Sequence, residues 1–289
     1  MIKLALGTAQ FGFPYGIANT DGQVDYATAS MILHTAKSAG MDTLDTAISY
    51  GNSEQCLGKV GIGGWRIITK LPKLPDACTD VSGWVNNQVN DSMLRLNVPN
   101  LTGLLLHQPN QLLGSKGKVV WKTLQKLKED GVIKKVGFSV YDPNELDVLW
   151  PLFQPDLVQA PFNILDRRLE TSGWLQRMNE ENVEVHVRSV FLQGLLLMNN
   201  SNRPKKFDRW STVWNAWDAW LCEQNLTAQQ ACLGFVMKDA RINRVIIGVD
   251  TLYQLEEILL STETKINQFP QLLTKDNSDL INPYCWNFL

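Results

Sequence analysis

The sequence predicts an α/β protein, with residues 1–289 forming one domain folded as a (β/α)8 TIM barrel. Its length of 289 residues is close to the ~250 residues typical of one such barrel. Short apolar runs alternate with amphipathic stretches along the chain, a pattern typical of parallel strands joined by crossover helices. No linker, low-complexity tract or short repeat divides it.

Eight short apolar runs are the strand candidates. They cover Leu4–Gly7, Thr43–Asp45, Arg66–Lys70, Leu104–His107, Val136–Ser139, Leu157–Gln159, Val183–Val187 and Val245–Gly248. A doubly wound open sheet is the competing fold, and it favours a G-x-G-x-x-G turn after the first strand. Here the first strand continues as Gly-Thr-Ala-Gln-Phe-Gly over residues 7–12, which lacks that pattern. The barrel is therefore the better prediction.

The stretches between the strands carry helix signals at their ends and on their apolar faces. Expected helix starts are N-caps at Asp25, at Asp142 before Pro143, and at Thr251 with Gln254 in a capping-box pattern. Expected stops are Gly40 and Gly131. Helical spacing predicts core packing for Trp210, Trp214, Trp217 and Trp220. Buried core positions are also expected for His34 and His186.

The composition excludes several classes of protein. Lys and Arg total 27 against 29 Asp and Glu, a net charge of −2, so we expect neither nucleic acid nor an anionic membrane surface as a partner. No apolar run reaches the ~18 residues of a membrane-spanning helix, and no signal peptide is recognised. The five cysteines form no C-x-x-C pair, which favours a reducing cytoplasm. We expect no metal site.

Three successive strand candidates end in an ionisable side chain. The second ends at Asp45, the third at Lys70 and the fourth at His107, while Tyr50 lies five residues beyond Asp45. The active site of a barrel lies at the carboxyl ends of its strands, so these four side chains are expected to lie together. A charge buried alone is costly, and pairing Asp45 with Lys70 removes that cost.

This combination of side chains suits the reduction of a carbonyl group. A lysine ammonium beside a phenol favours the phenolate, so Lys70 is expected to lower the pKa of Tyr50 toward neutrality. A tyrosine tuned in this way donates a proton to a carbonyl oxygen while hydride reaches the carbon. A neutral His107 orients the same oxygen by donating a hydrogen bond.

The order of short motifs along the chain resembles the aldo-keto reductase family. The matching stretches are Leu-Gly-Thr-Ala-Gln-Phe-Gly (6–12), Asp-Thr-Ala-Ile-Ser-Tyr-Gly (45–51), Thr-Lys-Leu-Pro (69–72), Leu-Leu-Leu-His-Gln-Pro (104–109), Val-Gly-Phe-Ser (136–139), Gln-Ala-Pro-Phe-Asn (159–163), Gln-Gly-Leu-Leu (193–196) and Val-Ile-Ile-Gly (245–248). The resemblance covers nearly the whole chain. It places the family's catalytic tetrad on Asp45, Tyr50, Lys70 and His107, with Tyr50 as the general acid.

The resemblance also implies a cofactor, NADP(H), with NAD(H) as a possible substitute. The implied cofactor contacts are Gly7, Thr8, Asp45, Ser139, Gln159, Arg188, Gln193, Gly194, Leu195, Gly248, Asp250, Gln254 and Glu257. Within this set, Ser139 and Gln159 match residues that hold the nicotinamide carboxamide. The stretch 193–195 matches the loop along the pyrophosphate, and 248–257 the adenosine end, where a helix N-terminus attracts anions.

The chain departs from the family pattern at three positions. Arg188 stands where many members stack an aromatic ring on the nicotinamide, although a guanidinium also stacks on planar rings. Val140 stands where an Asn often follows the serine of the fifth strand, and Gln254 replaces a basic residue that often pairs with the 2′-phosphate. Arg241 or Arg244 is a candidate replacement for that missing cation. Substrate-pocket candidates are Phe11, Tyr15, His107 and Phe162.

The leading function is therefore the NAD(P)H-dependent reduction of an aldehyde or ketone, with a sugar derivative among the candidate substrates. One alternative is a non-catalytic, cofactor-binding regulatory subunit on the same barrel. Another is an aldolase or isomerase that uses Lys70 to form a Schiff base. We expect a monomer or a small homo-oligomer. The C-terminal stretch 282–288 either closes over the pocket or straps the outside of the barrel.

Overall fold

A closed barrel of parallel strands forms the centre of the protein and confirms the predicted (β/α)8 fold. The computed structural model describes residues 2–264, 266, 268–272 and 277–288, and it describes Asn287 and Phe288 by backbone only. The strands are hydrogen-bonded in sequential order, from β1 through β8 and back to β1. They are β1 (Leu4–Gly7), β2 (Thr43–Asp45), β3 (Arg66–Leu71), β4 (Leu101–Leu106), β5 (Ile133–Ser139), β6 (Leu157–Pro161), β7 (Glu184–Arg188) and β8 (Arg244–Gly248).

Each predicted strand has its counterpart, with small differences at the ends. β4 begins three residues before the predicted start and ends at Leu106, so His107 lies just beyond it. The backbone N–H of His107 still donates to the carbonyl of Leu71 on β3, at 3.0 Å. That bond continues the ladder and fixes His107 at the carboxyl end of the barrel.

Helices surround the barrel. Those in the described part of the chain are α1 (Tyr26–Ser38), α2 (Ser53–Val60), α3 (Val81–Leu96), α4 (Gly117–Glu129), α5 (Glu145–Leu149), α6 (Arg168–Thr171), α7 (Trp174–Glu180), α8 (Ser211–Gln224), α9 (Ala228–Met237), α10 (Leu252–Ser261) and α11 (Ser278–Ile281). None of the helices in these described ranges is long and apolar enough to cross a membrane. The same residues contain no cluster of His, Cys, Asp and Glu suited to a metal ion.

The predicted N-cap at Asp25 is confirmed, and the one at Asp142 is wrong. The side chain of Asp25 accepts from the N–H of Thr28 at 2.8 Å, at the start of α1. Asp142 instead accepts from the N–H of Asn144 at 2.9 Å, and α5 begins at Glu145. The reason is that Asp142 closes a tight turn which precedes the first helical hydrogen bonds.

The helix α10 has a one-sided cap. Thr251 accepts from the N–H of Gln254 at 3.2 Å, as predicted. The side chain of Gln254, however, accepts from the N–H of Asp250 at 2.7 Å rather than from the N-cap itself. The reciprocal capping box is therefore absent, and Gln254 instead ties the end of the β8 loop to the helix.

A small apolar layer fills the interior of the barrel. Ile68, Leu105 and Leu157 are fully buried and form their own cluster, separate from the larger core between strands and helices. Two glycines make the space for them. A Cβ at Gly137 would lie 1.7 Å from the carbonyl oxygen of Leu157, and one at Gly103 would lie 2.8 Å from Cδ1 of Ile68.

The tryptophans and one histidine follow the prediction, and the other histidine does not. The side chains of Trp214 and Trp217 are buried, and Trp217 stacks on Trp220 with ring centroids 5.6 Å apart. His186 is fully buried, with Nε2 2.8 Å from a carboxylate oxygen of Glu184. His34 is exposed, because it lies on the face of α1 that points away from the barrel.

Candidate active site

The predicted site residues occupy the layer directly above the apolar interior of the barrel. Side chains two residues apart on a strand point to the same face. Each interior residue is therefore followed, two residues later in the chain and nearer the carboxyl end of the barrel, by an inward-pointing polar residue. The pairs are Ile68 and Lys70, Leu105 and His107, Gly137 and Ser139, Leu157 and Gln159, and His186 and Arg188.

A buried ion pair joins β2 to β3. Lys70 Nζ lies 2.6 Å from Oδ1 of Asp45, and both side chains are almost wholly buried. Nζ also donates to the carbonyl of Thr46 at 2.8 Å. The second carboxylate oxygen of Asp45 accepts from Gln159 Nε2 at 2.6 Å, a bond that crosses the barrel from β6. Burial lowers the pKa of Lys70, and the carboxylate of Asp45 opposes that effect.

Tyr50 is held over this pair by a tight turn. Its N–H donates to the carbonyl of Ala47 at 3.0 Å, and its carbonyl accepts from Ser53 at the start of α2. A Cβ at Gly12 would lie 1.8 Å from the carbonyl oxygen of Tyr50, so only glycine allows the loop after β1 to pack here. Lys70 Nζ lies 5.0 Å from the centre of the Tyr50 ring.

The predicted lowering of the Tyr50 pKa is wrong for this structure. Burial of the phenol raises the pKa of Tyr50 well above its ordinary value, and the carboxylate of Asp45 raises it further. Arg188 acts weakly in the opposite direction. The ammonium of Lys70 is occupied by Asp45 and a backbone carbonyl, so it does not offset the burial. Tyr50 is consequently a neutral phenol, which is the form that donates a proton.

His107 is neutral and faces Tyr50. Their ring centroids lie 5.8 Å apart in an edge-to-face arrangement. Nδ1 of His107 lies 3.2 Å from the hydroxyl of Ser49. Burial lowers the pKa of His107 to about 3, with added repulsion from Lys70 and Arg188. A neutral imidazole with one nitrogen at Ser49 has its other nitrogen available to a ligand.

One cavity connects these residues to the end of the barrel near α10. Its lining includes most of the predicted site residues: Gly7, Thr8, Tyr15, Asp45, Tyr50, His107, Ser139, Gln159, Arg188, Gln193, Gly194, Gly248, Asp250 and Gln254. Ser139 Oγ donates to Oε1 of Gln159 at 3.3 Å. Lys70 stands behind Asp45 and does not line the cavity.

Four predicted contacts lie elsewhere. Phe11, Phe162 and Leu195 are buried in the apolar core, and none of them lines the cavity, because their side chains pack between the strands and the surrounding elements. Glu257 is exposed on α10, between the buried residues Leu255 and Ile258.

The prediction that Arg241 or Arg244 pairs with a 2′-phosphate is also wrong for this structure. Arg241 and Arg244 lie at the amino end of β8, the opposite end of the barrel from the cavity. Arg241 pairs with Asp239 at 2.6 Å, and Arg244 pairs with Asp42 at 2.9 Å. Among the residues described, no lysine or arginine lines the cavity near Asp250.

No pattern in the sequence predicted the loop that crosses the cavity at this end. Asn19 Nδ2 donates to Oδ1 of Asp250 at 2.7 Å, and the N–H of Ala18 donates to the carbonyl of Gln193 at 3.4 Å. The stretch Asn-Thr-Asp-Gly at 19–22 indicates a turn but not its partner Asp250, which lies two residues beyond the end of β8. Gln10, Tyr141 and Gln229 are further lining residues that sequence reasoning missed.

The C-terminal stretch follows the outside of the barrel and reaches the rim of the cavity. Trp286 is buried against Phe207 with ring centroids 5.0 Å apart, and its carbonyl accepts from Lys206 at 2.9 Å. The ring of Tyr284 lies 6.3 Å from that of Tyr141, which lines the cavity. The stretch is thus a strap whose Tyr284 stands beside the opening, and Lys206 anchors it.

The cavity suits an elongated ligand with an amide-bearing ring at one end. Ser139 and Gln159 supply hydroxyl and amide groups beside Tyr50, and Asp250 and Gln254 line the far end at the start of α10. Gly194 and Gly248 allow neighbouring segments to approach the cavity wall closely. A Cβ at Gly194 would lie 2.4 Å from Cβ of Ala18, and a Cβ at Gly248 would lie 2.5 Å from the side-chain amide of Gln10. The residues present therefore fit a nicotinamide dinucleotide.

The sequence is similar to two curated proteins over part of its length. The sequence is 24% identical to aldo-keto reductase YhdN of Bacillus subtilis over 185 residues, covering 59% of this chain and 53% of that protein. It is 28% identical to aflatoxin B1 aldehyde reductase member 2 of Rattus norvegicus over 183 residues, covering 57% and 46%. The chain thus matches about half the length of these curated relatives.

Solved structures share the fold. An aldo-keto reductase from Bacillus halodurans in its holo form matches with a TM-score of 0.71 and 20% identity, covering 92% of this chain and 88% of that one. A glycerol dehydrogenase from Gluconobacter oxydans gives 0.71 and 22%, with the same coverage. The model of the Aldo/keto reductase family matches residues 3–271. The chain belongs to the Aldo/keto reductase family.

Proposed function

We propose that this protein reduces an aldehyde or ketone to an alcohol with NAD(P)H, and that Tyr50 is the general acid. The observation that carries the proposal is the buried Lys70–Asp45 pair beneath Tyr50 and His107, at one end of a cavity that fits a dinucleotide. Membership of the family and the names of the relatives, which include an aldehyde reductase and a glycerol dehydrogenase, support carbonyl and alcohol chemistry.

The residues of the tetrad have separate tasks. When bound, NAD(P)H supplies the hydride that reaches the carbonyl carbon. Tyr50 donates its phenolic proton to the carbonyl oxygen, and solvent later restores that proton. The neutral imidazole of His107 donates a hydrogen bond to the same oxygen and orients it. Lys70 and Asp45 form the buried ion pair beneath Tyr50 that holds this end of the site in place.

The cofactor would extend along the cavity from Tyr50 to α10. Ser139 and Gln159 would hold the nicotinamide amide, residues 193–194 would lie along the pyrophosphate, and Gly248, Asp250 and Gln254 would surround the adenosine. Because no cation lines this end among the described residues, we propose that NADPH is used with only weak discrimination over NADH. The carboxylate of Asp250 suits a free 2′-hydroxyl better than a phosphate.

The test is an assay of the purified chain against a panel of aldehydes, ketones and aldose sugars with each reduced cofactor. Loss of the nicotinamide absorbance, matched by formation of the alcohol, is expected for at least one class of carbonyl. Tight cofactor binding without turnover of any carbonyl would contradict the proposal and favour a cofactor-binding subunit. Trapping of a carbonyl on Lys70 by borohydride would favour Schiff-base chemistry instead.

A further inference from the structure

The segment that follows β7 is held in an unusual backbone conformation. Three of its residues other than glycine have positive φ angles: Ser189 at 60°, Leu192 at 49° and Gln193 at 54°. A side chain in this left-handed region brings its Cβ close to a backbone carbonyl oxygen, so each such residue destabilises the segment. Backbone of this kind persists only where the surrounding structure holds it.

The strained segment forms part of the cavity wall. The residues of residues 188–194 that line the cavity are Arg188, Ser189, Val190, Phe191, Gln193 and Gly194. Its residues 193–194 are the proposed contacts of the pyrophosphate. The carbonyl of Ser189 accepts from the N–H of Leu192 at 2.9 Å, which closes the first turn of the segment. The φ angle of Ser189 therefore sets the direction in which the chain leaves β7 and forms this wall.

A buried asparagine on the neighbouring loop holds the segment. Asn163 follows β6, is fully buried, and donates from Nδ2 to the carbonyl of Ser189 at 2.9 Å. Its side-chain oxygen accepts from the N–H groups of Leu165 and Asp166, at 2.9 and 2.8 Å. In an asparagine amide the nitrogen donates and the oxygen accepts, so these partners fix the direction of the side chain.

The loop that carries Asn163 is anchored as well. The N–H of Asn163 donates to the carbonyl of Asp166 at 3.0 Å. The carboxylate of Asp166 accepts from two nitrogens of Arg168, at 2.9 and 2.8 Å. Arg168 also donates to Asp142, in the loop after β5, at 2.8 Å. Asn163 thus connects the strained turn at Ser189 to a buried polar network that spans two other loops.

We propose that Asn163 is a positioning residue of the proposed active site. It holds Ser189 in the left-handed conformation and so keeps the wall formed by residues 188–194 in the shape that binds the cofactor. Asn163 is not among the residues that line the cavity, so it acts through Ser189 rather than by contact with a ligand. This inference rests on the proposed reductase function, because the ligand of that wall is the nicotinamide cofactor.

The experiment measures how the cost of losing Asn163 depends on the residue at position 189. The Kd for NADPH is determined from the fluorescence of the reduced nicotinamide, for Asn163→Ala with and without Ser189→Gly. Glycine adopts a φ near 60° without steric cost, so the anchor is not needed in that background. We expect Asn163→Ala to raise the Kd about tenfold in the wild-type background, the scale of one buried hydrogen bond, and less than about threefold in the Ser189→Gly background.

A second variant separates the anchor from the turn that carries it. Asn163→Asp keeps the volume of the side chain and the acceptor for Leu165 and Asp166, but loses the donor to Ser189. Its Kd should therefore rise at least as much as that of Asn163→Ala. The first variant leaves a small cavity and the second buries a carboxylate, so both are measured in case one of them does not fold.

Hydrogen exchange without cofactor tests the conformation itself. The N–H groups of Leu192 and Gly194 donate within the segment, and they should exchange about tenfold faster when Asn163 is replaced. The matched control is Asn243→Ala. It removes a side-chain bond of 2.7 Å to the N–H of Val185, at the amino end of β7, and should leave both the Kd and the exchange of residues 189–194 unchanged.

The outcomes separate this inference from the reductase function. An equal rise in Kd with and without Ser189→Gly would overturn the role of Asn163, because packing rather than the φ angle would then explain the effect. An unchanged Kd or unchanged exchange would overturn it too. Coupling between the two positions in a protein that reduces no carbonyl would support the role of Asn163 while contradicting the reductase function. A wild type that binds neither NADPH nor NADH would contradict both.

Discussion

The two ends of the cavity are built differently. At the end beneath Tyr50, side chains on adjacent strands are locked by short bonds, such as the 2.6 Å contacts of Asp45 with Lys70 and Gln159. At the end near α10, contacts come from loops, such as the 2.7 Å bond from Asn19 to Asp250. Asp45, Lys70 and Gln159 are buried at the first end, whereas Gln254 at the other end is exposed.

This difference separates the groups that hold the proposed proton donor in place, which lie on barrel strands, from the groups proposed to select the cofactor, which lie on loops. Groups fixed on barrel strands keep their spacing because the ladder of backbone hydrogen bonds holds them, which is what proton transfer requires. Loops tolerate substitution and can exchange one ligand preference for another. We therefore expect changes at the strand end to abolish activity and damage stability, and changes at the loop end to alter preference.

The largest expected effect comes from breaking the buried pair. Lys70→Met leaves the carboxylate of Asp45 buried without its partner, which typically costs about 3–5 kcal/mol of unfolding free energy. Activity should fall as well, because the unpaired carboxylate of Asp45 then opposes the phenolate formed on Tyr50. Urea unfolding and steady-state kinetics measure the two effects. The exposed pair of Lys126 and Asp130 is a matched control, and Lys126→Met should leave the free energy of unfolding nearly unchanged.

A double substitution sharpens this prediction. Adding Asp45→Asn to Lys70→Met removes the uncompensated charge, so much of the lost stability should return while activity stays low. Stability that does not recover would mean that packing, rather than charge, explains the single variant.

An intermediate effect is expected at the loop end. The ratio of kcat/KM for NADPH over NADH should lie below about 10³, or 4 kcal/mol, because the described residues provide no cation for the 2′-phosphate. Gln254→Arg should raise the ratio about tenfold by adding a bidentate phosphate contact. A wild-type ratio above that limit would show that a cation outside the described lining residues binds the phosphate.

The smallest effect concerns stability against pH. Burial lowers the pKa of His107 to about 3, below its ordinary value of 6.5, so the unfolded chain takes up a proton that the folded chain refuses. Stability should therefore be lost as the pH falls from about 6.5 toward 3. His186 has a lowered pKa from burial as well. His107→Gln should reduce the loss measured by urea unfolding between about pH 7 and 5, and an unchanged loss would contradict the buried neutral imidazole.

Sequence reasoning succeeded where strand periodicity determines position. Asp45, Lys70 and His107 lie at the ends of apolar runs, and inward alternation at the carboxyl end of a barrel is enough to bring them together. It failed to predict the effect of the Lys70 ammonium on Tyr50. The ammonium of Lys70 was expected to lower the pKa of Tyr50, but its bonds to Asp45 and the carbonyl of Thr46 leave burial as the larger effect.

Loop contacts and aromatic packing were the other limits. Phe11 and Phe162 were expected in the pocket, yet they are buried in the core. A sequence motif does not distinguish an aromatic residue that lines a cavity from one that packs in the core. The bond between Asn19 and Asp250 joins residues far apart in the sequence. No local pattern specifies such a pair, since the loop conformation depends on the completed barrel.

A single-turnover measurement of Tyr50→Phe tests most directly whether Tyr50 donates the proton. The rate of nicotinamide oxidation should fall by about 10² to 10⁴, while the Kd for NADPH stays near its wild-type value. Tyr26→Phe, at an exposed tyrosine remote from the cavity, should keep the wild-type rate. A Tyr50→Phe variant that reduces its best carbonyl substrate at close to the wild-type rate would contradict the assignment.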